Sequence, residues 1–361
     1  MSSTSNNRAL IAMSGGVDSS VAAWMMKDRG YDCVGVTMKL YSNEDIALDK
    51  EKTCCSLDDV EDARDVCRRI DIPFYVLNFS EKFDEYVIQK FIRTYEAGGT
   101  PNPCIDCNRH LKFEKLMQRM HELDCDYVVT GHYARITYNE ETGRYELRKA
   151  VDPSKDQSYV LYNLSQEQLK HVRFPLGEFH KTEIRQLAAE HGFINADKHD
   201  SQDICFVPDG DYASFIEKYT GKKAEPGNFV LEDGTIMGRH KGQIRYTIGQ
   251  RKGLGLSLPA PLYVCRKDVE KNEVVLGKSE RLFTTTLYAD DVNLISMDRI
   301  EEPIRCKARI RYKQKEDWAT VSDMGDGRIK IEFDQPQRGI TRGQAVVLYD
   351  DDLVIGGGTI L

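Results

Sequence analysis

The chain has 361 residues, 40% apolar and 30% charged, and its 50 basic against 58 acidic side chains leave a net charge of −8. That length predicts two or three domains; no apolar run reaches membrane-spanning length, and polar Met1–Arg8 lacks the apolar core of a signal peptide, so a cytoplasmic protein is expected, with monomer as the default. The acidic balance argues against blanket nucleic-acid binding and leaves room for a local basic stripe.

In chain order, the apolar run Ala9-Leu10-Ile11 reads as a short buried strand and Ser20–Lys27 as a helix. Between them lie Ala12, Met13, Ser14, Gly15, Gly16, Val17, Asp18 and Ser19. Glycines let a backbone come close to an anion, and a helix N-terminus aims unpaired N–H groups at it. The turn is therefore a candidate phosphate site. It is not the Walker type, because G-x-x-x-x-G-K-[ST] occurs nowhere in the chain. The bland alternative is a turn that merely joins strand to helix; two hydroxyls, two glycines and an acid in six positions weigh against it.

Further strands are expected at Cys33–Met38, Phe74–Phe79 and Tyr127–Thr130, with the first extending over Ala9–Met13. A helix should begin at Ser56, capped through Asp59, with Val60, Ala63, Val66, Cys67 and Ile70 as its apolar stripe. This alternation predicts an α/β fold: a doubly wound parallel sheet whose ligands bind at the carboxyl ends of the strands. The Ser14–Ser19 turn, Met38 and Gly131 then share one edge. Ser42–Thr53 is charged and aperiodic, and reads as a mobile loop. The stretch Leu161–Gly192 reads as helical, interrupted at Pro175-Leu176-Gly177. A glycine-rich section around Gly249–Gly255 follows. Beyond about residue 275, alternating runs and turn signals such as Asp326-Gly327 predict an all-β barrel. The expected units are a catalytic domain over 1–205 with a helical excursion at about 165–190, a small central domain over 206–275, and a C-terminal barrel over 276–361.

Ten cysteines, irregularly spaced in a long chain, do not describe a secreted disulfide framework. Cys33 in a strand and Cys67 on a helix face fit buried hydrophobes; Cys54-Cys55 has no assigned role. Two segments differ. Gly98–Asn108 carries two glycines, two prolines and Cys104-x-x-Cys107 ahead of a helix over Arg109–His121. A thiol at the start of that helix would be biased toward thiolate by the dipole. Asp200–Phe206 carries Cys205 with two acids beside it. A lone C-x-x-C suggests a redox pair or half a metal site; a zinc ribbon would need a second one, and a thioredoxin role would need that fold.

Arg305, Lys307, Arg309, Arg311 and Lys313 alternate with Cys306, Ala308, Ile310 and Tyr312. Period two puts five cations on one face of a strand. A face without acids suggests a phosphate partner, against the plain reading of a solvated surface.

Ser-Gly-Gly-Val-Asp-Ser (14–19) resembles the PP-loop of the ATP pyrophosphatases. Together with Thr-Pro-Asn-Pro-Cys-Ile-Asp-Cys-Asn (100–108), Thr-Gly-His-Tyr-Ala-Arg (130–135), Lys-Asp-Gln-Ser-Tyr (155–159), Asp-Ser-Gln-Asp-Ile-Cys-Phe (200–206), Tyr-Thr-Ile-Gly-Gln-Arg-Lys-Gly-Leu (246–254), Arg-Ile-Arg-Tyr (309–312) and Arg-Gly-Gln (342–344), the chain resembles the bacterial tRNA-specific 2-thiouridylases over essentially its whole length. The resemblance implies ATP and Mg²⁺ at residues 12–19, Met38 and Gly131, and transfer of AMP to the C2 oxygen of a wobble uridine. It implies a persulfide on Cys205 and Cys107 as partner thiol, with a Cys107–Cys205 disulfide, sulfur coming from a cysteine desulfurase or relay. It also implies target-base contacts at Asn102, Pro103 and Cys104, and tRNA contacts at His132, Lys155, Asp156, Gln157, Arg311, Tyr312 and Gln344. Many members of that family carry aspartate where this chain has Cys104. The thiol opens an alternative in which Cys104, Cys107 and Cys205 hold an iron–sulfur cluster, as in a sibling enzyme thiolating another base. Two other readings are an amidating PP-loop synthetase, which needs neither Cys107 nor Cys205, and a non-catalytic iron–sulfur or RNA-binding protein that keeps a relic loop.

Overall fold

In a computed structural model, the described residues are 7–41, 57–198, 204–257 and 260–361. Ser42–Thr53, Cys54, Cys55 and the capping Ser56 lie outside them, as do the acids Asp200 and Asp203.

The chain opens with β1 (Arg8–Ala12), α1 (Val17–Asp28), β2 (Asp32–Lys39), α2 (Leu57–Arg69) and β3 (Phe74–Asn78). Two long helices over 80–96 and 103–122 follow, each passing through a π-helical stretch. Then come β4 (Tyr127–Val129), the hairpin β5 (Ala134–Asn139) and β6 (Arg144–Lys149), and β7 (Val172–Arg173). Strands β3-β2-β1-β4-β7 form one parallel sheet. The run Ala9–Ile11 is apolar throughout because both faces of β1 are covered. Leu10 and Ala12, with Val34 and Val36 of β2, pack toward the helices 80–96 and 103–122. Ala9, Ile11 and Met13, with Cys33, pack toward α1 and α2. Ala63, Val66 and Cys67 form the buried stripe of α2 as expected, while Val60 is only half-buried. Burial pushes the Cys33 thiol up to about 11 and the Cys67 thiol up to about 12, which is the behaviour of packed hydrophobes.

The expectation of helix from Leu161 to Gly192 is corrected. Helices cover Gln166–His171 and Lys181–Glu190, and between them β7 adds a fifth strand to the sheet. Two residues give no period to read, so helical neighbours mask them.

The middle of the chain contains the sheet β10-β11-β8-β9, made of β8 (Gly227–Leu231), β9 (Ile236–His240), β10 (Tyr263–Asp268) and β11 (Glu273–Gly277). The C-terminal strands are β12 (Phe283–Leu294), β13 (Ile304–Arg309), β14 (Asp317–Asp323), β15 (Ile329–Arg338), β16 (Ala345–Asp350) and β17 (Leu353–Ile360). They run β12-β15-β14-β13-β16-β17, and β12 also pairs with β17, which closes the barrel. Closure leaves no free edge. The hairpin β5–β6 extends this sheet through Arg148 opposite Leu353.

The basic strand needs a second correction. Cys306, Ala308 and Ile310 do point inward, and the cations point out. Yet Arg305 pairs with Asp334, Lys307 with Asp351, and Arg309 with Glu316 and Asp156. The acids missing from the strand itself come from its neighbours, so the bare cationic face does not exist. Arg311 differs: its guanidinium donates to the Gly339 carbonyl and the Thr341 hydroxyl, at 2.5 and 3.0 Å.

Candidate active site

The turn after β1 has the geometry of an anion cradle. Gly15 sits at φ +73°, in the left-handed region, and a Cβ there would lie 2.3 Å from the Asp59 carbonyl oxygen. Gly16 caps α1 in an extended conformation without a side-chain cap, so the first-turn N–H groups remain available to an anion. The turn is braced internally: Ser14 N–H donates to the Ser19 hydroxyl at 3.1 Å, and the Ser19 and Ser20 hydroxyls donate to the Gly16 carbonyl at 3.0 and 3.1 Å.

It is also braced from far along the chain. Lys181 Nζ reaches both carboxylate oxygens of Asp18 at 2.7 Å, and the Tyr133 hydroxyl donates to Asp18 Oδ1 at 2.7 Å. Asn195 Nδ2 donates to the Gly15 carbonyl at 3.0 Å, and Lys198 Nζ links that carbonyl to Asp59 and Asp62. Gly131, two residues beyond β4, backs directly onto the turn: a Cβ there would lie 2.8 Å from the Asp18 carbonyl carbon and the Ser19 nitrogen. Met38 is the penultimate residue of β2, so turn, Met38 and Gly131 do follow neighbouring strands at their carboxyl ends.

Sequence reasoning missed Lys181, Tyr133, Asn195 and Lys198. Tyr133 lies within a quoted motif; the lysines had no local signal, since Lys181 and Asp18 are 163 residues apart.

Asn102 caps the helix 103–122 and Pro103 is its first residue. The loop ahead of it is held by other parts of the chain. Gln344 Nε2 donates to the Thr100 and Pro101 carbonyls at 2.9 and 3.0 Å, and Thr100 N–H donates to the Arg342 carbonyl at 2.8 Å. From the middle sheet, Lys267 Nζ approaches the Gly99 and Tyr246 carbonyls at 3.5 and 3.1 Å. Burial lowers the Lys267 pKa to about 8.

Cys104 is exposed and Cys107 half-buried. Because the helix starts at Pro103, Cys107 stands a full turn inside it, and the expected dipole bias toward thiolate does not dominate. Burial raises the Cys107 thiol to about 11; Lys112 opposes that shift, while Cys104 and Asp106 add to it. Buried Asp106 is paired with Lys90 at 2.6 Å. Cys205 precedes Phe206, which is locked among Phe83, Phe91 and Phe215, and its carbonyl accepts from the Tyr41 hydroxyl at 2.8 Å. Cys107 and Cys205 border the same apolar core.

Among the described residues, no three His, Cys, Asp or Glu side chains are gathered as a group that could hold a metal ion. Magnesium in phosphate sites takes one or two carboxylates and completes its shell with phosphate and water.

The remaining expected contacts divide. Tyr312 is part-exposed, and its hydroxyl donates to the Asp156 carbonyl at 3.1 Å. Lys155 is half-buried beside it in sequence. Asp156 is buried, accepting from Ala150 and Ser158 N–H at 3.2 Å each. Gln157 accepts from Tyr133 N–H at 2.9 Å. His132 is buried, with Nδ1 2.6 Å from the Thr130 hydroxyl and Nε2 3.5 Å from Lys112 Nζ.

A parallel sheet with a phosphate turn after its first strand, followed by a small sheet and a closed barrel, defines a HUP-type nucleotide-binding domain carrying two appended β units. The model of the tRNA methyl transferase HUP domain matches residues 7–209, that of the PRC-barrel domain 213–278, and that of the aminomethyltransferase β-barrel domain 284–360. A tRNA-specific 2-thiouridylase MnmA of Clostridioides difficile (strain 630) is 52% identical over 355 residues, 98% of each chain. The tRNA-specific 2-thiouridylase MnmA 1 of Thermoanaerobacter sp. (strain X514) is 51% identical over 356 residues, again 98% of each. The chain belongs to the family of the tRNA-specific 2-thiouridylases.

Proposed function

We propose that this protein is an ATP-dependent tRNA-uridine 2-sulfurtransferase acting on the wobble position. The carrying observation is identity of about one half, over nearly the full length, to proteins of that name. A uracil C2 carbonyl is a poor electrophile because oxide leaves badly. Its oxygen attacks the α phosphorus of ATP, pyrophosphate departs into the Ser14–Ser19 turn, and the C2 substituent becomes AMP, a good leaving group. Mg²⁺ neutralises the phosphates when bound.

Cys205 carries the sulfur as a persulfide. The Cys107 thiolate attacks the inner sulfur, a Cys107–Cys205 disulfide forms, and hydrosulfide is released to displace AMP from C2. The donor is a cysteine desulfurase or a sulfur relay, and an external thiol resets the disulfide. Disulfide formation requires the two Cα atoms to stand about 5.5 Å apart. Asn102, Pro103 and Cys104 contact the extruded base. Lys155, Arg311 and Tyr312 contact tRNA, and His132, Asp156, Gln157 and Gln344 support those surfaces from behind.

The test is nucleoside mass spectrometry on unmodified tRNA incubated with protein, ATP, Mg²⁺ and a sulfur donor. Formation of 2-thiouridine that disappears with Cys107→Ser supports the reading. A thiolated base other than wobble uridine, or product from both Cys107→Ser and Cys205→Ser, overturns it.

A further inference from the structure

Lys112 lies on the helix 103–122 beside the site, and no motif assigns it a role. The helix 103–122 turns π-helical at Cys107 and stays so through Lys115. A π-helix ties residue i to i+5, so Lys112 stands one turn beyond Cys107 on the same side. Long π-helical runs are rare and cluster at functional sites. The neighbouring cations are spoken for: Lys90 pairs with Asp106, and Lys115 with Glu114. Lys112 meets the ring of His132 instead, Nζ to Nε2 at 3.5 Å, and pairs with no carboxylate among the described residues.

The histidine cannot neutralise it. His132 is buried between Phe113 and Phe174. Burial and the nearby ammonium hold its pKa well below the usual histidine value. A neutral ring that accepts from Lys112 at Nε2 carries its proton on Nδ1, which then donates to the Thr130 hydroxyl at 2.6 Å. The ring is thus a fixed strut for the ammonium. It stands directly after Gly131, where a Cβ would lie 2.8 Å from backbone atoms of Asp18 and Ser19 in the phosphate turn. The order in space is phosphate turn, Gly131, His132, Lys112, Cys107.

We propose that Lys112 is the cation that binds the α-phosphoryl group during transfer of AMP to the uracil. In that step the uracil O2–phosphorus bond forms and the bond from phosphorus to the bridging oxygen of pyrophosphate breaks. The N3 proton is released to water. Negative charge on the α-phosphoryl oxygens then develops between the phosphate turn and the thiol, where Lys112 is held. An ammonium fixed beforehand by a neutral partner stabilises that charge without reorganising.

This inference rests on the sulfurtransferase reading, and its test separates the two. Single-turnover release of pyrophosphate from ATP is measured with unmodified tRNA present. Lys112→Gln is expected to slow it about 10²–10³-fold, the loss typical of removing one preorganised donor. The KM for ATP and the tRNA affinity should stay within a few-fold, and the unfolding midpoint should stay unchanged. Lys112→Arg, which keeps the charge, should recover at least a tenth of the rate, and it supplies the readout should the glutamine variant not fold. Pyrophosphate release at the wild-type rate from Lys112→Gln, or equal losses in the Gln and Arg variants, would sink the assignment. Wild-type protein that releases pyrophosphate on tRNA but thiolates another base overturns the function and leaves the Lys112 measurement readable.

Discussion

Lys181 grips both carboxylate oxygens of Asp18 at 2.7 Å, so the acid of the phosphate turn is held by a residue of a helix in the distal half of the same domain. The pair gives the turn its shape before any nucleotide arrives. Lys181 is buried while Asp18 is partly open to solvent. Breaking the pair therefore costs less than for a fully buried one.

Lys181→Met is expected to lower stability by about 1.5–3 kcal/mol, the range for a hydrogen bond to a charged group. The KM for ATP should rise at least several-fold as Asp18 swings free. Denaturant unfolding and steady-state kinetics measure the two effects. An unchanged KM would show that the pair is a fold contact alone.

Gly131→Ala places a methyl 2.8 Å from backbone atoms of Asp18 and Ser19, and backbone cannot yield as a long side chain does. The phosphate turn must shift. ATP affinity measured by calorimetry is expected to fall about tenfold or more, which is about 1.4 kcal/mol, with the circular dichroism spectrum kept.

Gln344→Ala removes both donors that hold the Thr100 and Pro101 carbonyls. The loop ahead of Cys104 loosens. Turnover in thiolation is expected to drop about tenfold while the KM for ATP stays put, since misplacing a reacting group costs rate more than ligand affinity. Limited proteolysis should cut near residue 100 faster in the variant.

His132 supplies a pH test. Its folded pKa lies well below the ordinary histidine value, because burial disfavours the imidazolium. The unfolded chain therefore binds the proton first as pH falls. The stability this group contributes is complete above about pH 6.5 and declines below it, by up to about 1.4 kcal/mol per pH unit. A His132→Asn variant should lose that part of the acid dependence in unfolding experiments between pH 6.5 and 5.

Cys107 titrates in the opposite sense. With its thiol raised to about 11, its reaction with iodoacetamide should climb about tenfold per unit from pH 7 to 9, without a plateau. Peptide mass spectrometry reads this out. A plateau near pH 8 would mean that Lys112 overcomes burial.

The strands β1 to β4 and the phosphate turn were legible because local pattern fixes them: continuous apolar runs, then glycines at a strand-to-helix turn. The thiols were legible as residues and not as chemistry. Cys107 was expected at a helix start, but Pro103 begins the helix a turn earlier and burial then governs the thiol. The basic strand misled for a related reason, since Asp334, Glu316 and Asp351 come from other segments and no reading of residues 305–313 contains them. Lys181, Lys198 and Lys112 belong to the same class: each acts through a partner that folding alone brings near.

The anchoring of the loop 99–102 on Arg342 and Gln344 also sets an order in time. The parallel sheet is complete in sequence once β7 has been made, and the braces of its phosphate turn once Lys198 has, so a growing chain can hold nucleotide early. The cysteine loop finds its supports only after residues 342–344 leave the ribosome. A half-made chain would then carry a nucleotide site without a seated thiol, and would be spared spending ATP on tRNA before it can finish the reaction.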